Sequence, residues 1–165
     1  MQDSKLLIAG TISGNNNVIT GFNLTGATTA AAVLSPYSVD LNPGHGTGID
    51  LGEGTPIYLK YVIQTTITGA TGLTVNIVTD STAALTATPS VLASQNISAL
   101  IAGTFGYIQV PPLIASSASN GLGQEFLGAS FLALGATVTA GAIIAEFTNV
   151  VDDPKTFYAS GFAVV

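Results

Sequence analysis

The sequence predicts an all-β chain, a jelly-roll-like antiparallel β-sandwich forming a single domain over residues 1–165, and three observations lead there. Clusters rich in glycine and asparagine recur at short intervals: SGNNN (13–17), NPGHGTG (42–48), GEGTP (52–56), TGATG (68–72) and SNGLG (119–123). That is the spacing of turns between short strands. The runs between them are rich in Thr, Val and Ile and alternate in apolar character with a period of two. The two stretches with good helix formers are weak candidates: ATTAAAVL (27–34) is short. STAALTATPSVLASQNISALIAG (81–103) is broken by Pro89 and full of residues whose side chains compete for backbone hydrogen bonds.

Taken in order, KLLIAGTI (5–12) is the first strand candidate, with residues 1–12 expected as an N-terminal arm or edge strand. The segments 27–34 and 81–103 are expected to be loop, or at most a turn of helix. YSVDL (37–41) is a short strand. IYLKYVIQTTI (57–67) is the clearest one: Ile57, Leu59, Tyr61, Ile63 and Ile67 share one face, and Tyr58, Lys60, Gln64 and Thr66 share a wetter one. GLTVNIVTD (72–80) follows after a tight turn and is expected to pair with it as a hairpin. GYIQV (106–110), EFLGASFLAL (125–134), TVTAGAIIAEF (137–147) and TFYASGFAVV (156–165) complete about eight strands, a number that favours a sandwich or jelly roll over an up-and-down barrel.

The strand 137–147 is apolar on both sides. Gly141, Ile143, Ala145 and Phe147 lie on one face, and Ala142, Ile144 and Glu146 on the other. The segment 156–162 likewise puts Phe157 on one face and Tyr158 and Phe162 on the other. A second apolar face is expected to meet a neighbouring subunit, which singles out Ile144, Glu146, Tyr158 and Phe162 as contact residues.

Charge narrows the function further. The chain has three lysines, no arginine, nine acids and one histidine, and only 7% of its residues are charged, against about 25% in ordinary domains. A surface this neutral tends to self-associate, so the chain is read as an assembly component. A net charge of −6 with so few cations argues against direct nucleic-acid contact and against anionic membranes. MQDSKLLIAG, with Asp3 in the would-be basic region, is not expected to act as a secretory signal. The chain has no cysteine, so neither disulfides nor thiolate metal sites arise.

Catalytic patterns are poor. His45 is the single histidine and lies in NPGHGTGIDLGEG beside Asp50 and Glu53, without a nucleophile in view, so no enzyme is expected. The glycines there lack the lysine of a phosphate-binding loop. Asp40, Asp50, Glu53 and Asp80 could offer oxygen ligands to calcium, but their spacing matches no known loop, and no cofactor or metal is expected. Asp152 and Asp153 are adjacent and so point to opposite sides of an extended segment, which does not make a facing acid pair. The glycine-rich loop from Pro43 to Pro56, with His45, Asp50 and Glu53, is read instead as a contact element, as is the N-terminal arm.

The order of LIAGTFGYIQVPP (100–112), EFLGASFLAL (125–134), TAGAIIAEF (139–147) and FYASGF (157–162), preceded by GIDLGEGTPIYLKYVIQTTITGATGLTVNIVTDS (48–81), resembles the capsid cement, or decoration, proteins of tailed bacteriophages. The match covers roughly two thirds of the chain and is weakest over the first 47 residues. Where that family carries a basic residue before the strand at 125–134, this chain has Gln124 and Glu125. The resemblance implies a jelly-roll trimer on the outside of an icosahedral head, made in the host bacterial cytoplasm and seated between major capsid proteins, with no catalysis and no cofactor. The alternative reading is a carbohydrate-binding or adhesin-like β-sandwich module displayed on a particle surface. The lack of tryptophan and an aromatic content of 7% rank it second.

Overall fold

The computed structural model describes residues 6–13, 18–41, 50–51, 55–114 and 124–151. Fourteen strands occur among them: β1 (Leu7–Ala9), β2 (Thr11–Ser13), β3 (Val18–Thr20), β4 (Phe22–Asn23), β5 (Val33–Leu34), β6 (Val39–Asp40), β7 (Asp50–Leu51), β8 (Tyr58–Thr68), β9 (Gly72–Asp80), β10 (Ser90–Ile97), β11 (Phe105–Gln109), β12 (Leu113–Ile114), β13 (Phe126–Leu134) and β14 (Ala140–Thr148). No helix is present among these residues, and every strand pairing is antiparallel.

Two sheets carry the architecture. The first has the order β1-β14-β8-β11, with β4 also on β14; the second has the order β10-β9-β13-β5, with β6 also on β13. Taking β1, the β5–β6 segment, β8, β9, β10, β11, β13 and β14 as strands one to eight, the sheets read 1-8-3-6 and 5-4-7-2. This is the interleaved connection of a jelly roll, in which the chain repeatedly crosses from one sheet to the other. The minor pairs β7–β12 and β2–β3 stand apart from both sheets.

The alternation in the sequence becomes the core. Leu59, Tyr61, Ile63 and Ile67 of β8 and Gly141, Ile143, Ala145 and Phe147 of β14 face Leu73, Val75 and Ile77 of β9 and Leu127, Ala129, Phe131 and Ala133 of β13, all buried. Phe131, fully buried, meets the ring of Phe22 at 6.3 Å between centroids. Fully burying such side chains contributes about 1.5–3 kcal/mol each, and this supplies the drive for closing two sheets face to face.

Three expectations need correction. β8 and β9 are not a hairpin: β8 pairs with β14 and β11, whereas β9 pairs with β13 and β10. The turn between them is a corner that crosses sheets. Its Gly69 has φ +92°, and a Cβ there would lie 2.3 Å from the Thr137 carbonyl, so the corner packs tightly against the β13–β14 connection. Turn length alone does not reveal whether a chain returns to its own sheet. The second correction is β10, an eight-residue strand within the segment expected to be loop. Its apolar residues Val91, Leu92 and Ile97 do not alternate, because a bulge between Val91 and Ala93 shifts its register on β9. The first strand candidate is also interrupted, since Gly10 at φ +126° separates edge strand β1 from β2. The strand expected at 156–165 lies outside the described residues.

Candidate functional site

The outer face of the first sheet is where two of the predicted contact residues come together. The registers of β11, β8 and β14 align their outward residues in three rows: Phe105, Val62 and Ile144; Tyr107, Lys60 and Glu146; Gln109, Tyr58 and Thr148. Such directly opposed side chains sit about 4.5–5.5 Å apart at Cβ and interact. Tyr107 meets Tyr58 edge-on at 6.5 Å and 86°, and meets Phe105 at 6.3 Å and 84°. Phe105, Tyr107, Tyr58, Val62 and Ile144 are all partly buried.

The local sequence explains why these rings point outward. Gly106, between Phe105 and Tyr107, is the register partner of Tyr61. A Cβ on it would lie 2.2 Å from the Tyr61 hydroxyl oxygen. The glycine therefore leaves room for the inward Tyr61 ring beneath β11, and alternation turns its two aromatic neighbours out. Burial raises the Tyr61 hydroxyl above its ordinary value of 10.0 by penalising the phenolate.

At the centre of the grid, Lys60 Nζ lies 3.2 Å from Glu146 Oε1, with the side chains 24% and 13% exposed. Lys60 is the one basic side chain among the described residues, and it is matched by the acid directly across the strand pair. The patch therefore offers an apolar surface around an ion pair that is already satisfied, and asks no charge of what it meets.

The far end of the same face is different. Gln64 bridges the backbone of 19–21, its amide donating to the Ile19 carbonyl at 2.7 Å and its carbonyl accepting from the Gly21 N–H at 2.5 Å. A Cβ on Gly21 would lie 3.1 Å from that of Ala142. The chain entering from the β2–β3 pair is thereby held against the sheet, and the β8 side chains beyond it, Gln64, Thr66 and Thr68, are polar and exposed.

The second sheet treats its outer face otherwise. Ser94 Oγ donates to Asn76 Oδ1 at 2.6 Å and Asn76 Nδ2 donates to Ser130 Oγ at 3.1 Å, an uncharged ladder across β10, β9 and β13. Next to it the loop 81–89 folds back. The buried Asp80 carboxylate accepts from the backbone N–H groups of Thr82 (3.2 Å), Ala87 (2.9 Å) and Thr88 (3.2 Å) and from Ser81 Oγ (3.3 Å). Leu85, at φ +58° and fully buried, lies over Gly128, where a Cβ would come within 2.4 Å of Leu85 Cδ1.

The other predicted residues are distributed as follows. Ile144 and Glu146 belong to the grid. Asp50 is in β7, opposite Ile114. Pro43, His45, Glu53, Tyr158 and Phe162 lie outside the described residues, as do Asp152 and Asp153. Asp40 and Asp80 flank Phe126 on opposite strands, two strand spacings or about 9.5 Å apart, and the Asp80 carboxylate is already taken up by backbone N–H groups. Among the described residues no three His, Asp or Glu side chains cluster so as to hold a metal. An apolar groove of about 300 Å³, lined by Leu6, Val39, Leu41, Ile57, Leu127 and Phe147, opens between the sheets at the end where β8 begins and β14 finishes.

Sequence reasoning missed Tyr58, Val62, Phe105 and Tyr107 as members of the patch. The available signal was the aromatic–glycine–aromatic triplet FGY at 105–107, together with apolar residues on the supposedly wet face of 57–67. No protein-family model and no curated protein sequence matches the chain.

Proposed function

We propose that the chain is a structural virion protein of the decoration kind. In this reading it assembles as a homotrimer on the outside of a tailed-phage head and stabilises contacts between major capsid proteins. The observation that carries the reading is the patch of Val62, Ile144, Phe105, Tyr107 and Tyr58 around the Lys60–Glu146 pair, on a chain of which 7% is charged. A partly buried apolar sheet face whose ion pair is matched internally suits burial against an uncharged neighbour. The jelly roll and the order of the apolar motifs in the second half of the chain agree with it.

The mechanism follows from geometry and number. The patch forms the contact between trimer mates, and the Gly-rich loop 43–56 and the N-terminal arm reach the shell. Each trimer then makes several modest contacts that do not release together, so attachment gains from multivalency and opposes expansion of the filled head. Few of these contacts are ionic, so attachment persists when salt shortens the Debye length from about 10 Å at 0.1 M to about 3 Å at 1 M.

The test is co-sedimentation of the purified chain with phage heads in low and high salt, beside its molar mass. Attachment in both salts by a species built of trimers supports the reading; a monomer that ignores heads removes it. Against a sugar-binding module stand the ring angles of 84° and 86°, which give no flat shared platform. Glycan-array binding abolished by Tyr107→Ala would reverse that preference.

A further inference from the structure

We infer that the free edge of β10 is a self-pairing surface, on which a second copy of this chain lays its own β10 antiparallel and continues the second sheet across the subunit boundary. The inference rests on the reading of the chain as an assembly component. It adds a contact separate from the outer face of the first sheet.

β10 is the longest edge strand of the sandwich, and among the described strands it pairs with β9 alone. On its other side every second residue directs an N–H and a C=O away from the sheet. Solvent reaches the strand: Val91 is 57% exposed, and the consecutive residues Ser94, Gln95 and Asn96 are exposed. The bulge between Val91 and Ala93 leaves 93–97 as the regular stretch that a partner strand can match.

Among the described residues the usual protections are missing. Edges are normally guarded by charged side chains, by proline within the strand or by covering chain. Here no Asp, Glu, Lys, Arg or His occurs anywhere from Ser81 to Gln124, and Pro89 precedes the strand rather than interrupting it. The net charge of −6 thus has no share on this segment, and two such edges approach without like-charge repulsion. An extended, uncharged, hydroxyl- and amide-bearing strand is the matching occupant, and this chain carries one.

The opposite flank explains why the contact is with the same strand. There the sheet ends in β5 and β6, two residues each, and the Tyr37 N–H donates to the Ile8 carbonyl at 3.2 Å, stitching that flank to the first sheet. With one long open edge among the described strands, the pairing is two-fold and closes on itself. It joins copies in pairs, whatever the threefold contact does elsewhere on the molecule.

Two measurements test this. Light scattering on the purified chain and on V91K/Q95K, whose added charges sit at exposed edge positions, is expected to show the variant at about half the mass, with an unchanged far-ultraviolet spectrum. Hydrogen exchange on the unmodified chain is expected to show alternate amides of 93–97 protected when concentrated and released on dilution. Amides of 93–97 that exchange freely at every concentration overturn the inference, as does a folded V91K/Q95K of unchanged mass. Failure to bind phage heads with this protection intact would count against the decoration reading only.

Discussion

The two outer faces of the sandwich solve one problem in opposite ways. On the second sheet the chain covers its own apolar residues: Leu85 lies over Gly128, Val78 is 1% exposed, and the Asp80 carboxylate ties the covering loop through backbone N–H groups of Thr82, Ala87 and Thr88. Beyond that loop, Ser94, Asn76 and Ser130 satisfy one another. On the first sheet the half around Val62, Ile144 and Tyr107 keeps its apolar side chains in the surface layer, with Lys60 and Glu146 matched between them. One face is finished within the subunit, and the other is suited to being finished by assembly. In a chain with so few charges, the absence of ionic solvation is managed on one side by folding back and, under the proposed function, on the other by association.

If that contrast is right, mutations on the second sheet act on folding and mutations on the first act on assembly. The largest effect is expected for Asp80→Ala, which leaves the backbone N–H groups of Thr82, Ala87 and Thr88 without their charged acceptor and costs about 3 kcal/mol in chemical denaturation. Gly128→Ala is next, at about 2 kcal/mol, because the new methyl must displace Leu85. Adding Leu85→Ala to it should cost less than the two changes summed, since they relieve one clash. Lys60→Met on the first sheet should cost about 1 kcal/mol, the scale of a partly exposed pair. A loss as large as that of Asp80→Ala would mean that the ion pair holds the sandwich together and would erase the distinction between the faces.

The smallest expected effect concerns the inward Tyr61. Burial raises the Tyr61 hydroxyl above 10.0, so the folded state holds its proton to higher pH than the unfolded one. The corresponding stability is complete below pH 10 and declines as pH climbs from there through the folded-state value. Tyr61→Phe should flatten this alkaline decline in urea titrations.

The inner faces were legible in the sequence because alternation is a local property. Leu59, Tyr61 and Ile63, or Ile143, Ala145 and Phe147, announce themselves wherever their strands pair. The outer patch was legible only in part. Ile144 and Glu146 showed on β14, but Phe105 and Tyr107 joined them through registers that β8 mediates, and no window of sequence contains all three strands. The face of β8 also changes character along its length, from Tyr58, Lys60 and Val62 to Gln64, Thr66 and Thr68, so reading it as one wet side averaged over two environments. β10 stayed hidden because its bulge breaks the alternation. The corner at Gly69 looked like a hairpin because a short glycine-containing turn serves both purposes.

The measurement that bears most directly on the central claim is the solution mass of the chain beside that of Ile144→Lys, which places a charge beside Val62 in the outer patch of the first sheet. The account predicts an unmodified species whose mass is a multiple of three protomers of 16.5 kDa, and an Ile144→Lys species of about one third that mass with its unfolding midpoint nearly unchanged. An unmodified chain that stays at the protomer mass, or a folded Ile144→Lys that assembles as before, would contradict it.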